Sequence, residues 1–148
     1  MTPVPPRGIR NHNPGNIRKS RERWQGLAPT QTDPAFFQFI SAVFGIRALA
    51  KVLKTYQKKH GLRTVRQIIG RWAPANGDSN GPLPGGEYKQ DTGAYVTQVA
   101  KAVKVSADEA INLADPQTMV ALVTAIIRHE NGVQPYHTTL IRQGVDMA

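Results

Sequence analysis

The chain has 148 residues, no cysteine, 40% hydrophobic and 20% charged residues, and a formal net charge of +9. That length supports one domain with a real core, and the missing thiols exclude a disulfide framework and thiolate chemistry. A sequence pI of about 10.3 favours polyanionic partners: nucleic acid, anionic lipid or the bacterial cell wall.

In chain order, "MTPVPPRGIR" is proline-rich and lacks the apolar centre of a secretory signal, so residues 1–8 read as a flexible arm with no signal peptide. "RNHNPGNIRKS" carries a turn at Asn13-Pro14-Gly15-Asn16. "IRKS", "RWQGL" and "AFFQFI" are short segments of aromatic or β-branched character. The expectation is a small antiparallel sheet of two or three strands over roughly residues 16–40. "SAVFGIRALAKVLKTYQKKHG" reads as a helix, with Ser41 as N-cap, Gly61 as its stop, and Val43, Ile46, Leu49, Ala50 and Leu53 on one face. "TVRQIIGRW" restarts a short helix at a Thr64/Gln67 capping box. Residues 73–90 form the longest irregular stretch, of a length that is often functional.

"DTGAYVTQVAKAVKV" is a further helix, capped by Asp91 or Thr92. "SADEAINLA" is read as another, opened by a Ser106/Glu109 capping box. The last strong helix opens at Asp115 with Pro116 at its first position and stops at Gly132. The expected fold is α+β and mainly helical, with roughly five or six helices beside the small N-terminal sheet, in one domain over 1–148. No apolar run reaches membrane-spanning length. His12, His60, His129 and His137 form no His-x-x-x-His pair, so neither a metal nor a cofactor is expected.

The chemistry concentrates in "AIIRHENGVQP". At about 100° per residue, Glu130 returns to within roughly 20° of Met119, on the stripe that holds Leu122, Val123, Ile126 and Ile127. Glu is seldom buried without a partner. Burial and the negative end of the helix both raise a carboxyl pKa, and a carboxylic acid still protonated near neutral pH suits a general acid. On periodicity alone, Glu130 turned toward solvent, or paired with an arginine such as Arg128 or Arg71, is the favoured reading, because structural ion pairs at helix ends are common.

This segment resembles the end of the catalytic helix in goose-type lysozymes and lytic transglycosylases, where an apolar helix closes on Glu-Ser-Gly or a close variant; here it is Glu130-Asn131-Gly132. "TGAYVTQV" resembles that family's Thr-x-x-Tyr-Val segment, which makes Tyr95 a candidate neighbour of Glu130. "IIGRWAPANG" stands where the family has Ala-Tyr-Asn-Ala-Gly. The Asn13–Asn16 turn, "W-x-G" at Trp24-Gln25-Gly26 and "F-x-F-x-S" at Phe37–Ser41 resemble the sheet region of bacterial cell-wall glucosaminidases. The segments follow the family order if Glu130 is taken as the beginning, which implies a circularly permuted lysozyme-like domain. Over nearly its whole length the chain also resembles a group of small phage proteins, described variously as virion components and as lytic enzymes. It departs from them at Gln90-Asp91-Thr92, where a glutamate is expected.

The resemblance implies cleavage of the MurNAc–GlcNAc β-1,4 bond of peptidoglycan, in a phage virion or from the host cytoplasm, acting in the periplasm or cell wall. It makes Glu130 the catalytic acid with Tyr95 beside it, and Asn13, Asn16, Trp24, Gln25, Arg71, Trp72, Asp91 and Thr92 the substrate-binding residues. Other virion proteins are possible partners, and nucleic acid is not favoured for want of a recognised motif. A hydrolase needs a second carboxylate, for which Asp33 leads, although "TDP" is also a plain turn, and Asp91 and Glu87 at the border of the 73–90 stretch are the alternatives. A lytic transglycosylase needs only the one glutamate. A non-enzymatic virion component, or a nucleic-acid binder using the basic surface, is the reading from another class.

Overall fold

A computed structural model describes residues 4–74 and 91–148. Six helices lie among them: α1 Arg7–Arg10, α2 Ala42–His60, α3 Val65–Trp72, α4 Thr92–Val103, α5 Pro116–Asn131 and α6 Thr138–Asp146. Most of the irregular stretch at 73–90, namely residues 75–90 with Glu87 among them, lies outside the described residues.

The long helices form for the reasons their sequences give. α2 buries Ile46, Ala48, Leu49, Ala50 and Leu53 along one stripe and stops where Gly61 adopts a left-handed φ of 65°. In α3 the Thr64 side chain accepts from the Gln67 N–H and Gln67 reaches back, a complete capping box. α4 is capped by Asp91, which accepts from the Ala94 N–H, rather than by Thr92. α5 opens on Asp115 with Pro116 next and ends where Gly132 takes a φ of 73°. Their apolar faces meet in one core built from Leu49, Leu53, Ile68, Ile69, Tyr95, Val99, Leu122, Ile126 and Ile127.

The N-terminal sheet is not there. Residues 16–40 contain no strand, only two isolated antiparallel bridges, Arg18 with Phe36 and Leu27 with Phe39. The fold of the described residues is therefore mainly helical rather than α+β. The segments are short and broken by Pro29 and Pro34, and side-chain amides replace the ladder. The Gln38 side-chain oxygen Oε1 accepts from the Thr32 and Asp33 N–H groups. Gln31 donates to Ala28 O and Gln38 O and accepts from the Gln38 N–H. These bonds satisfy the extended chain locally, so no repeating pairing is needed. A small second apolar cluster holds the region on α2, with Phe37, Phe39 and Ala48 at its centre and Ile17, Trp24, Leu27 and Phe44 around them.

Three further expectations change. "SADEAINLA" forms turns and not a helix. The Glu109 carboxylate does accept from the Ser106 N–H, but the following backbone is drawn outward: Ile111 N–H donates to Arg63 O, Arg66 N–H to Ala107 O, and Gln57 binds Ile111 O and Leu113 N–H. Those groups are then lost to an i→i−4 ladder. α6, which sequence reading missed, buries Ile141 and Val145 against α2 and α5. The N-terminal arm turns into α1 at Arg7, where Arg7 is bound to Asp33 at 2.6 and 2.7 Å.

α6 approaches α2 closely at Gly144, where a Cβ would lie 2.5 Å from Ile46 Cγ2 and 3.1 Å from Val43 O. Gly144→Ala is expected to destabilise the fold by about 1–3 kcal/mol through overpacking, read as a lower urea midpoint with an unchanged slope. An unchanged midpoint means that α6 shifts freely on α2.

Candidate active site

Four pieces of chain bring polar groups together at the C-terminal end of α5. Glu130 continues the apolar stripe of α5 and is only partly exposed. Its Oε2 accepts a hydrogen bond of 2.9 Å from the Tyr95 hydroxyl of α4. Its Oε1 accepts one of 3.2 Å from Asn16 Nδ2 in the N-terminal turn. The Trp72 indole, at the last position of α3, is close enough to favour the carboxylate as a further neutral donor. None of these donors is charged.

Loss of hydration raises the Glu130 pKa above the ordinary carboxylate value, and the donors Asn16, Tyr95 and Trp72 offset this only in part. Tyr95 is fully buried. Burial first, then the neighbouring Glu130 charge, holds its hydroxyl protonated, so it acts as a donor throughout the neutral range. The ring of His129 stacks on Tyr95 with centroids 3.6 Å apart, and His129 Nδ1 lies 2.7 Å from Gln98 Oε1. Burial lowers the His129 pKa, so the ring is neutral at neutral pH.

The turn that carries Asn16 is set in place by its neighbours. Asn131, next to Glu130, is buried, and its Nδ2 donates to Pro14 O at 2.8 Å and Ile127 O at 2.9 Å. Asn16 itself adopts a positive φ of 51°, which Asn tolerates better than most residues. Gly15 sits against Leu49 and Trp72, where a Cβ would be 3.2–3.4 Å from their side-chain atoms.

The other expected site residues divide. Thr92 Oγ donates to Ala73 O at 2.6 Å, tying the start of α4 to the end of α3 beside Trp72. Asp91 is the exposed cap of α4. Arg71 is exposed, with its guanidinium 5.3 Å above the Tyr56 ring. Asn13 is fully buried and has its amide spent on Ile17 and Phe37 backbone groups. It braces the turn and has nothing left for a ligand. Trp24 packs into the second apolar cluster, and Gln25 is exposed.

Asp33 is bound on both oxygens. Oδ1 accepts from Arg7 and from the Ala35 and Phe36 N–H groups, and Oδ2 from Arg7 and Asn11. The Arg7 bond, with the backbone donors and Asn11, outweighs burial and holds the carboxyl far below its usual range. No oxygen remains to orient a water. Sequence reading did not single out Asn131, Arg7, Gln98 or His129 as site residues. Asn131 was findable, since it sits four residues beyond Ile127 on the buried stripe. No group of three or more His, Asp or Glu side chains suited to a metal occurs among the described residues, and no helix there is long and apolar enough to cross a membrane.

The carboxyl state of Glu130 links to stability with a definite sign. Its folded pKa is raised, so the folded state holds the proton more tightly than the unfolded chain. Stability from this group is fully present below the unfolded carboxylate pKa and is lost as pH rises through the folded one. Glu130→Gln is therefore expected to match wild type near pH 4 and to melt higher than it at pH 7–8. Thermal scans across that range check this, and a variant less stable at pH 8 contradicts it.

No protein-family model matches the chain. It is 35% identical to "Protein P5" of Pseudoalteromonas phage PM2 over 143 residues, which is 95% of this chain and 80% of that protein. The chain belongs to the family of this phage protein.

Proposed function

We propose that the protein cleaves the MurNAc–GlcNAc β-1,4 bond of bacterial peptidoglycan as a lytic transglycosylase with Glu130 as its one catalytic carboxyl group, acting as part of a phage virion or released during infection. The observation that carries this reading is the Glu130 carboxyl itself: partly withdrawn from water, with a raised pKa, and touched by neutral donors alone among the described residues. Such a group keeps its proton to a higher pH than an ordinary carboxylate and gives it to a glycosidic oxygen as the bond breaks.

The same carboxylate, once formed, takes the proton from the sugar C6 hydroxyl as that oxygen attacks C1. The product is a 1,6-anhydro sugar, and the proton returns to Glu130. The hydroxyl is part of the bound substrate and so is present at high effective concentration. The commitment of Asp33 to Arg7 and of Asp91 to capping α4 supports this over a two-carboxylate hydrolase. Tyr95 and Asn16 hold the carboxyl in place, and Trp72 lies on the same side of the core.

Glu130→Gln is expected to abolish wall lysis, because general acid–base catalysis contributes about 10²–10⁴-fold. Zymography with purified sacculi reads this, with circular dichroism confirming the fold. Mass spectrometry of the wild-type digest is expected to show muropeptides lighter by one water than hydrolysed ones. Reducing-end muramic acid as the main product overturns the transglycosylase reading. A wild-type protein without lytic activity leaves the role of a non-enzymatic virion component.

The exposed cations Lys51, Lys58, Lys59 and Arg63 support adhesion to the anionic wall. Exposed charges are screened over about 10 Å at 0.1 M salt. Sedimentation with sacculi is expected to weaken steadily as salt rises, whereas salt-independent binding makes the charge incidental.

A further inference from the structure

Asn16 Oδ1 and Asn131 Oδ1 are both buried and have no hydrogen-bond partner among the described residues. They face one shared space: a Cβ placed on Gly8 would lie 2.7 Å from the first and 2.6 Å from the second. Two buried amide oxygens beside one space are costly, because each forfeits a hydrogen bond and neither can donate to the other. Asn131 cannot turn to relieve this. Its Nδ2 is held by Pro14 O and Ile127 O. Asn16 is held only through its single bond to Glu130 Oε1, at 3.2 Å. The two ends of an amide are nearly isosteric, and which end faces Glu130 follows from the hydrogen-bond network alone.

The network differs for the two states of Glu130. Beside a carboxylate, Asn16 must present Nδ2 as a donor, and both oxygens are left without one. Beside a carboxylic acid, it can present Oδ1 as an acceptor, and Nδ2 then points at Asn131 Oδ1. Tyr95 donates to Oε2, which leaves Oε1, the oxygen facing Asn16, to carry the proton. Every donor and acceptor of the Glu130–Asn16–Asn131 chain is then matched.

We infer that Asn16 is a positioning residue whose amide turns over with each protonation change of Glu130, with the buried Asn131 oxygen holding it in the orientation that favours the acid. No proton passes through the amide. When Glu130 gives its proton away, the O–H bond at Oε1 breaks, the carboxylate forms, and the amide rotates half a turn about χ2 to donate from Nδ2. When the proton returns, the amide turns back. The meaning for catalysis rests on Glu130 being the general acid, as proposed above; the turning of the amide does not.

The surrounding charges do not supply this effect. Tyr95 of α4 is the titratable group that touches Glu130, and it stays protonated. His129 faces α4 through Tyr95 and Gln98. Arg71 of α3 lies over Tyr56, Arg7 of α1 is bound to Asp33, and His12 and Arg128 are exposed.

Solution NMR on the intact wild-type chain tests the inference without any lytic assay. The Asn16 side-chain amide protons are expected to show contacts to Glu130 Hγ at high pH and to Asn131 Hβ at low pH, exchanging with the same midpoint as the Glu130 carboxyl carbon. In Glu130→Gln, which offers an N–H in place of the acid O–H, they are expected to face Asn131 at every pH. Asn131→Ala removes the acceptor that favours the acid form, so the Glu130 midpoint is expected to fall by about one pH unit, tenfold in proton affinity. Mere loosening of the turn predicts the opposite, a rise, since Glu130 then loses a donor to its anion. Amide protons that stay beside Glu130 through the whole titration, or a midpoint that rises or stays put in Asn131→Ala, overturn the inference. The wild-type titration decides it even if that variant fails to fold.

Discussion

The join between the end of α5 and the turn at residues 13–16 is the constraint on which the site depends. Two consecutive side chains make it: Asn131 donates to Pro14 O, and Glu130 accepts from Asn16. They span 117 and 114 positions of sequence, so an N-terminal segment without strands of its own is held against the last turn of a buried helix. The close approach needs small residues. A Cβ on Gly45 would land on the His12 carbonyl, so α2 accepts the 12–14 backbone only because that position is bare. Gly8 has the same role above Asn16 and Asn131. A rigid helical frame thus supports a carboxyl group whose other partners arrive on α3, α4 and a turn, and rigid support of this kind keeps a functional group within tight geometric limits.

Two partly or fully buried carboxyls in one small protein show how their partners decide their chemistry. Asp33 is met by a guanidinium and two backbone N–H groups, and its pKa is driven down. Glu130 is met by an amide, a phenol and an indole, and its pKa is driven up. Burial opposes ionisation in both cases. A neutral donor returns only part of the lost hydration, whereas a paired cation with further donors returns more than all of it. The cost of keeping Glu130 half-solvated falls on the folded state, because a carboxyl sits where packing alone would put an apolar group.

The helices were legible because their signals are local. Stop glycines at 61 and 132, the Thr64/Gln67 box and the Asp115-Pro116 start each act within one turn, and the stripe on α5 is unbroken from Met119 to Glu130. The sheet was misread because aromatic and β-branched residues in 16–40 signal extended chain, not pairing; Gln31 and Gln38 take the backbone groups that a ladder needs, and nothing in the periodicity announces that. The helix expected after Ser106 failed for a related reason: its capping signal is present, but Gln57, Arg63 and Arg66, distant in sequence, claim its backbone. α6 was missed because it is short and its cap, His137, is an uncommon one. At the site, the placement of Glu130 on a buried stripe was legible from spacing, and the contact with Tyr95 followed from the resemblance. The grip of Asn131 on Pro14 depends on a distance through space, and so do the spent amides of Asn13 and the capture of Asp33 by Arg7.

The charge distribution sharpens the same contrast. A chain with a net charge of +9 has ample cations to place beside a buried glutamate, and an adjacent arginine would be the simplest way to satisfy it. Such a pair would hold Glu130 as a carboxylate and draw its pKa down, as Arg7 does for Asp33. The cations nearby are directed elsewhere: Arg7 to Asp33, Arg71 to the face of Tyr56, and Arg128, two residues from Glu130, to solvent. What reaches Glu130 instead is a set of neutral groups that can bond to either of its protonation states. Among the described residues, positive charge is directed to Asp33 and not to Glu130, and that difference in partners sends the two carboxyl pKa values in opposite directions.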